Sequence, residues 1–203
     1  MIALVDSGIC NLASVLHALA RIGAQVTATS EAGQIYSSKA VILPGVGAFA
    51  DGMKSLRERG LVEPVRAAAR EGKPVLGICL GMQLLVEESE EHGRHEGLGL
   101  IKGAARRLVA DRPGFRVPNI GWCDVSAAKA GALYPKAGDA GSYYFVHSYW
   151  VDTAAEHVAG TIEFSGRRVP AALEHRNVSG MQFHPEKSQD RGLDLLARWV
   201  ASV

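Results

Sequence analysis

The chain has 203 residues, 47% of them hydrophobic and 21% charged, with a formal net charge of +1. That is long enough for one sizeable core, read as one domain over residues 1–203, and the near-neutral charge excludes an electrostatic case for nucleic acid or an anionic membrane surface. Three cysteines (Cys10, Cys79, Cys123) leave an odd thiol under any pairing and form no CxxC, a usage that suits a reducing cytoplasm rather than a disulfide scaffold.

The start, MIALVDSGIC, has no charged region before its short apolar run and meets Asp6 directly after it. It is too short for a signal peptide's apolar core or a bilayer span and reads as a first strand. From Asn11 to Ile22 the apolar residues Leu12, Val15, Leu16, Leu19 and Ile22 lie on one helical face, and Gly23 follows as a stop. AQVTAT and AVIL read as the second and third strands, VRAAAREG as a helix ended by Gly72, and PVLGI as a fourth strand. Short apolar strands alternating with helices imply βαβ units and a parallel sheet buried on both faces. The second half changes character: RRLVA, GWCDVSA, YYFVHSYWV, VAGTIEF, VPAALEH and VSGMQFH are strand-like, and a closing amphipathic helix runs from about 190 to 199. The expected fold is therefore a single α/β domain whose central sheet is mixed, mostly parallel, with antiparallel additions and flanking helices.

The fourth strand runs straight into Gly77-Ile78-Cys79-Leu80-Gly81. A strand that turns at once into a helix needs a tight backbone turn, and glycines two residues either side of the central residue let the two elements close around it. This is the nucleophile-elbow pattern, which exposes the central side chain at the end of a sheet. Cys79 would sit where a helix N-terminus favours the thiolate, with the Leu80 N–H aimed at a developing oxyanion. In QFHPEKSQ, Pro185 holds His184 in extended backbone, so His184 and Glu186 share a face. A thiol, an imidazole base and a carboxylate that orients it make a catalytic triad. The segment LPGVGAF places glycines on both sides of Val46; backbone N–H groups at Val46 and Gly47 can complete an oxyanion hole. It is not a dinucleotide fingerprint, because Ala50 stands where the third glycine belongs.

These motifs, in this order, resemble the class I (triad) glutamine amidotransferases. Within that family the chain is similar to the glutaminase subunits that supply a cyclase in histidine biosynthesis. The likeness runs nearly end to end, through DSGICNLASVLHAL, PGVGAF, GICLGMQLLVEESEE, VPNIGW, YYFVHSYW and QFHPEKSQ. The resemblance implies a Cys79 nucleophile that forms a glutamyl thioester and releases ammonia, with His184 as base and then acid and Glu186 as its orienter. It implies an oxyanion hole from Leu80 and the Val46–Gly47 segment, and glutamine held by Gln83, Glu91, Ser148 and Tyr149. It also implies a heterodimer with a (β/α)8-barrel cyclase, docked near Asn11, Trp122, Tyr144 and Lys187, and no cofactor or metal. Ser7, Ile9, Cys10, Asn119 and Cys123 depart from the family's usual residues; the departures are expected to fall towards the docking face.

Two alternatives stand beside that reading: a small glutaminase feeding another synthase, such as that of pyridoxal phosphate synthesis, and a non-catalytic assembly subunit with the same fold. Of the remaining residues, Trp122, Tyr144 and Trp150 would ordinarily be core or strand-pairing aromatics. His92 and His95 in EHGRHEG lack a completing ligand set and read as a solvated loop. EESEEHGR reads as a solvated helix end, and Cys10 and Cys123 as packing thiols.

Overall fold

A computed structural model describes residues 1–203. Five parallel strands form half of the main sheet: β1 (Ile2–Val5), β2 (Val26–Thr29), β3 (Ala40–Gly45), β4 (Val75–Cys79) and β13 (Val178–Met181). The other half is antiparallel and consists of β8 (Asn119–Ala127), β9 (Ala140–His147), β11 (Val158–Phe164) and β12 (Arg167–His175). The strand order is β2-β1-β3-β4-β13-β12-β11-β8-β9, so the sheet is mixed as the sequence implies, but its parallel strands occupy one side and not the centre.

Alternation along the parallel strands feeds two cores. Ile2, Leu4, Ala40, Ile42, Leu76 and Ile78 face one way, towards α1 (Leu12–Arg21) and α6 (Gln189–Ala201). Ala3, Val5, Val41, Leu43 and Val75 face the other, towards α2 (Ala32–Ser37), α3 (Phe49–Glu58) and α4 (Val62–Arg70). A strand with period-2 side chains and apolar residues at every position is buried on both faces.

A second, four-stranded sheet was not foreseen. It contains β5 (Val86–Ser89), β6 (His95–Glu96), β7 (Ile101–Arg107) and β10 (Tyr149–Asp152). Three readings change with it. EESEEHGR begins in strand β5, not at a helix end, because Val86 is buried and Glu88 and Ser89 pair with Glu96 and His95. YYFVHSYWV is not one strand: it breaks at Ser148, with β9 in the main sheet and β10 in the second. RRLVA is likewise displaced, since β7 ends at Arg107 and Leu108 continues outside it, its N–H donating to the Ser148 carbonyl.

The neighbours β3, β4 and β13 matter most for function. They are parallel and in register, Pro44 beside Ile78 and Ile78 beside Met181. Their carboxyl ends therefore lie side by side at one edge, where open α/β sheets place their sites.

Candidate active site

At the end of β4, Cys79 adopts φ 54°, ψ −112°. A non-glycine residue in that region is strained, at a cost of order 1–3 kcal/mol. The flanking glycines explain how the turn is held. A Cβ on Gly81 would lie 1.8 Å from the Leu43 carbonyl oxygen, and one on Gly77 2.5 Å from the Gly81 carbonyl oxygen. The elbow thus packs backbone against backbone on strand β3. The following helix α5 (Leu80–Leu84) is only five residues long. The expected macrodipole assistance to the thiolate shrinks accordingly, because so short a helix sums few peptide dipoles.

His184 lies just beyond β13, and its backbone is pinned to β9. Its N–H donates to the Tyr144 carbonyl at 2.9 Å, while Ser188 Oγ donates to the His184 carbonyl at 2.6 Å and accepts from the Tyr144 N–H at 2.9 Å. Pro185 opens a short 3-10 turn that carries Glu186 back beneath the imidazole. His184 Nδ1 meets Glu186 Oε1 at 2.8 Å, with the two side chains only 5% and 2% exposed. The remaining ring nitrogen, Nε2, is buried with no hydrogen-bond partner, and His184 lines the same cavity as Cys79. Burial pulls the imidazole pKa down, but hydrogen bonding and charge interaction with Cys79 and Glu186 outweigh it and raise it to about 10. The imidazolium is thereby held beside the sulfur at neutral pH.

Val46, Gly47, Cys79, Leu80, Gln83, Glu91, Ser148, Tyr149 and His184 all line one cavity of about 300 Å³. Val46 donates its own N–H to the Ile9 carbonyl at 3.1 Å, so in this conformation that N–H is turned to Ile9 and reaches the cavity only if the peptide reorients. Gly47 has φ +90°, which a side chain would disfavour. Glu91 accepts the Phe49 N–H through Oε2 at 2.7 Å, capping α3, whose preceding residue Ala48 has no side-chain cap to offer. Gln83 Nε2 donates to the Tyr149 carbonyl and to Gln182 Oε1, each at 3.0 Å.

Glu186 does not reach the cavity wall; it stands behind His184. The four residues expected at a partner surface also lie outside the cavity. Trp122 and Tyr144 meet edge to face with centroids 6.2 Å apart, and Lys187 Nζ stands 6.0 Å from the Tyr144 ring. Asn11 caps α1, its side chain accepting the Ser14 N–H at 3.4 Å. Trp122 is 49% exposed and Ile120 61%, so this face of β8 is open.

The sequence reading missed two residues. His147 lines the cavity, buried at the end of β9; burial above all lowers its pKa to about 4, despite the hydrogen bond to the Tyr149 carbonyl. Its Nε2 lies 3.1 Å from Asn119 Nδ2, and Asn119 in turn contacts the Cys123 thiol at 3.6 Å. Asn119 and Cys123 therefore turn inward, on the strand face opposite Ile120 and Trp122, and not to the docking face as expected. The other, Gln182, is fully buried between Gln83 and Cys79. A polar residue between apolar Met181 and Phe183 was the available signal.

A family profile described as glutamine amidotransferase class-I matches residues 3–202. The chain belongs to this family. Among its relatives, a protein of Bacillus licheniformis named imidazole glycerol phosphate synthase subunit HisH is 48% identical over 202 residues, spanning 98% of this chain and 95% of that one. A protein of Moorella thermoacetica with the same name is 46% identical over 196 residues, 96% of this chain and 91% of that one. Solved structures agree on the fold of the amidotransferase: a glutamine amidotransferase superposes with TM-score 0.76 at 21% identity over the whole of both chains. PurLQS from Thermotoga maritima superposes with TM-score 0.75 at 20% identity, covering 99% of this chain and 97% of that one.

Proposed function

We propose that the chain is the glutamine-hydrolysing subunit of an imidazole glycerol phosphate synthase, working through Cys79, His184 and Glu186. The observation that carries the catalytic reading is the convergence of a strained, pocket-lining thiol with an imidazole whose far nitrogen is held 2.8 Å from a buried carboxylate.

The chemistry follows from that geometry. Glutamine enters with its α-amino group towards Glu91 and its amide over Cys79, flanked by Gln83, Ser148 and Tyr149. The sulfur attacks the side-chain carbonyl carbon, and the oxyanion is met by the N–H of Leu80 and by one from the Val46–Gly47 segment once that peptide has reoriented. His184 gives its proton to the amide nitrogen, the C–N bond breaks, and ammonia leaves a glutamyl thioester. Water then attacks with His184 as base, the C–S bond breaks, and glutamate departs. Glu186 fixes the imidazole's orientation and supports its charge throughout.

The partner in this reading is a cyclase subunit built on a (β/α)8 barrel, forming a heterodimer and using the ammonia to make imidazole glycerol phosphate. The exposed Trp122 packed on the half-buried Tyr144 supports a docking surface, since Trp and Tyr are enriched among the anchors of interfaces. Setting and architecture belong to the same reading: one domain in the cytoplasm, supported by three free cysteines and by the lack of any helix long and apolar enough to cross a membrane.

The test is glutamate release by the purified chain, alone and with the same organism's cyclase subunit and its nucleotide ligand, with Cys79→Ala as control. Strong stimulation that the substitution abolishes is the expected result. Full turnover without the partner counts against a Val46–Gly47 segment that reorients only when the partner is bound, and no release under either condition overturns the assignment.

A further inference from the structure

We infer that Gln182 is a further catalytic residue of this site: its side-chain amide is locked with the N–H towards Cys79 and donates to the sulfur whenever it carries charge. This rests on the thiol reading above and deepens it.

The orientation follows from an unambiguous anchor. The Tyr149 carbonyl can only accept, so the Gln83 end that meets it at 3.0 Å is Nε2. The same nitrogen lies 3.0 Å from the Gln182 amide, which must therefore present Oε1 to it. Gln182 Nε2 is left facing Cys79 Sγ, at 4.0 Å. Reversing the Gln182 amide would set two NH2 groups against each other and an oxygen lone pair against the sulfur. The anchor is itself braced from the other side: His147 Nδ1 lies 2.8 Å from the Tyr149 carbonyl and must donate to it. His147 Nε2 is then an acceptor for Asn119 Nδ2. Donation thus converges on the Tyr149 carbonyl from His147 and from Gln83, and runs onward from Gln83 through Gln182 to the nucleophile.

Gln182 is buried, its backbone N–H held on the Ala171 carbonyl at 2.8 Å, and its amide N–H has no partner other than the sulfur. The contact is long for a thiol and shortens when the sulfur is ionised, as catalytic hydrogen bonds do once charge develops. The donor acts where sulfur bears charge: on the thiolate before C–S bond formation, and on the thiolate expelled when water cleaves the thioester. The titratable groups facing the sulfur are His184, with Glu186 behind it, and His147 and Glu91 across the cavity. None of them supplies this second N–H.

The test compares Gln182→Met, near in size but without the donor, with the unaltered full chain. Cys79 is alkylated with iodoacetamide across pH, and glutaminase kinetics are measured with the cyclase partner present. Loss of one hydrogen bond to a charged sulfur moves the acid limb of the alkylation profile upward by about one pH unit. Turnover falls about tenfold on the same reasoning. A purely structural role lowers the melting temperature but leaves the limb in place, and that result overturns the inference. If Gln182→Met does not fold, the side-chain amide protons of Gln182 are followed by NMR in the unaltered chain through the same limb. A shift that tracks Cys79 ionisation supports the contact, and none overturns it. An unaltered chain that is neither alkylated at Cys79 nor active would overturn the thiol reading as well.

Discussion

Replacing Glu186 by Gln removes a charge while keeping the shape of the side chain. The Glu186 carboxylate lies 2.8 Å from His184 Nδ1, and with exposures of 5% and 2% for the two side chains water cannot take its place. A hydrogen bond between charged groups contributes about 1.5–3 kcal/mol, which at 1.36 kcal/mol per pH unit is roughly one to two units of imidazole affinity for its proton. Turnover with the partner present should fall about 10- to 100-fold by the same conversion, with KM for glutamine little changed. The pH profile gives an independent check. His184 keeps its proton up to about pH 10, against an ordinary value of 6.5. Because the folded value is raised, the stability it contributes is complete below 6.5 and is lost as pH rises through about 10. In Glu186→Gln the alkaline limb of glutamate release, and the alkaline loss of stability followed by circular dichroism, should both move to lower pH. An unchanged limb together with unchanged turnover would refute the pairing argument.

Further outcomes follow from the same geometry. Cys79→Gly and Cys79→Ala should both abolish glutaminase activity, but the glycine variant should melt higher by roughly 2–4 °C if relief of φ 54° is worth about 1 kcal/mol; equal melting temperatures would count against strain at the elbow. Gly81→Ala forces a Cβ to 1.8 Å from the Leu43 carbonyl oxygen, so calorimetry should show a loss of about 3 kcal/mol or more, and an unshifted transition would contradict the close packing. Burial lowers the His147 pKa from 6.5 to about 4. The unfolded chain then binds more protons between those values, and stability should fall by about 3 kcal/mol as pH drops through that window; His147→Gln should flatten the decline in urea titrations, and an equally steep decline would place its cause elsewhere.

The local features were legible because each is written in a few adjacent residues. Gly77 and Gly81 around Cys79 mark an elbow since only a missing Cβ permits that backbone approach. Pro185 after His184 marks extended backbone at the histidine and so a carboxylate near its imidazole, although the structure returns Glu186 through a short 3-10 turn and not along an extended chain. The helical face from Leu12 to Ile22 and the closing amphipathic helix came through for the same reason, as side-chain periodicity is local. What did not come through depends on partners distant in sequence. EESEEHGR reads as a helix end until His95, Glu96 and β7 are beside its first residues to pair with them. Ser148 carries no sign that the chain changes sheets there. Glu91 has a second task, capping α3 from across the cavity, that no spacing discloses.

The sequence alone determined the chemistry available here: a thiol on a glycine-framed turn, an imidazole and carboxylate across a proline, and a glycine loop free to present N–H groups. Only the tertiary structure decided that these meet. The last strand, β13, inserts beside β4 and parallel to it, which sets the carboxyl ends of β3, β4 and β13 in a row and brings His184 to Cys79. Strand order is settled by which apolar faces and unpaired backbone edges satisfy one another over the whole sheet, a global condition that a pattern of neighbouring residues does not contain. The same condition buries Gln182 and His147 beside the site, where their hydrogen bonds acquire a direction and so a role.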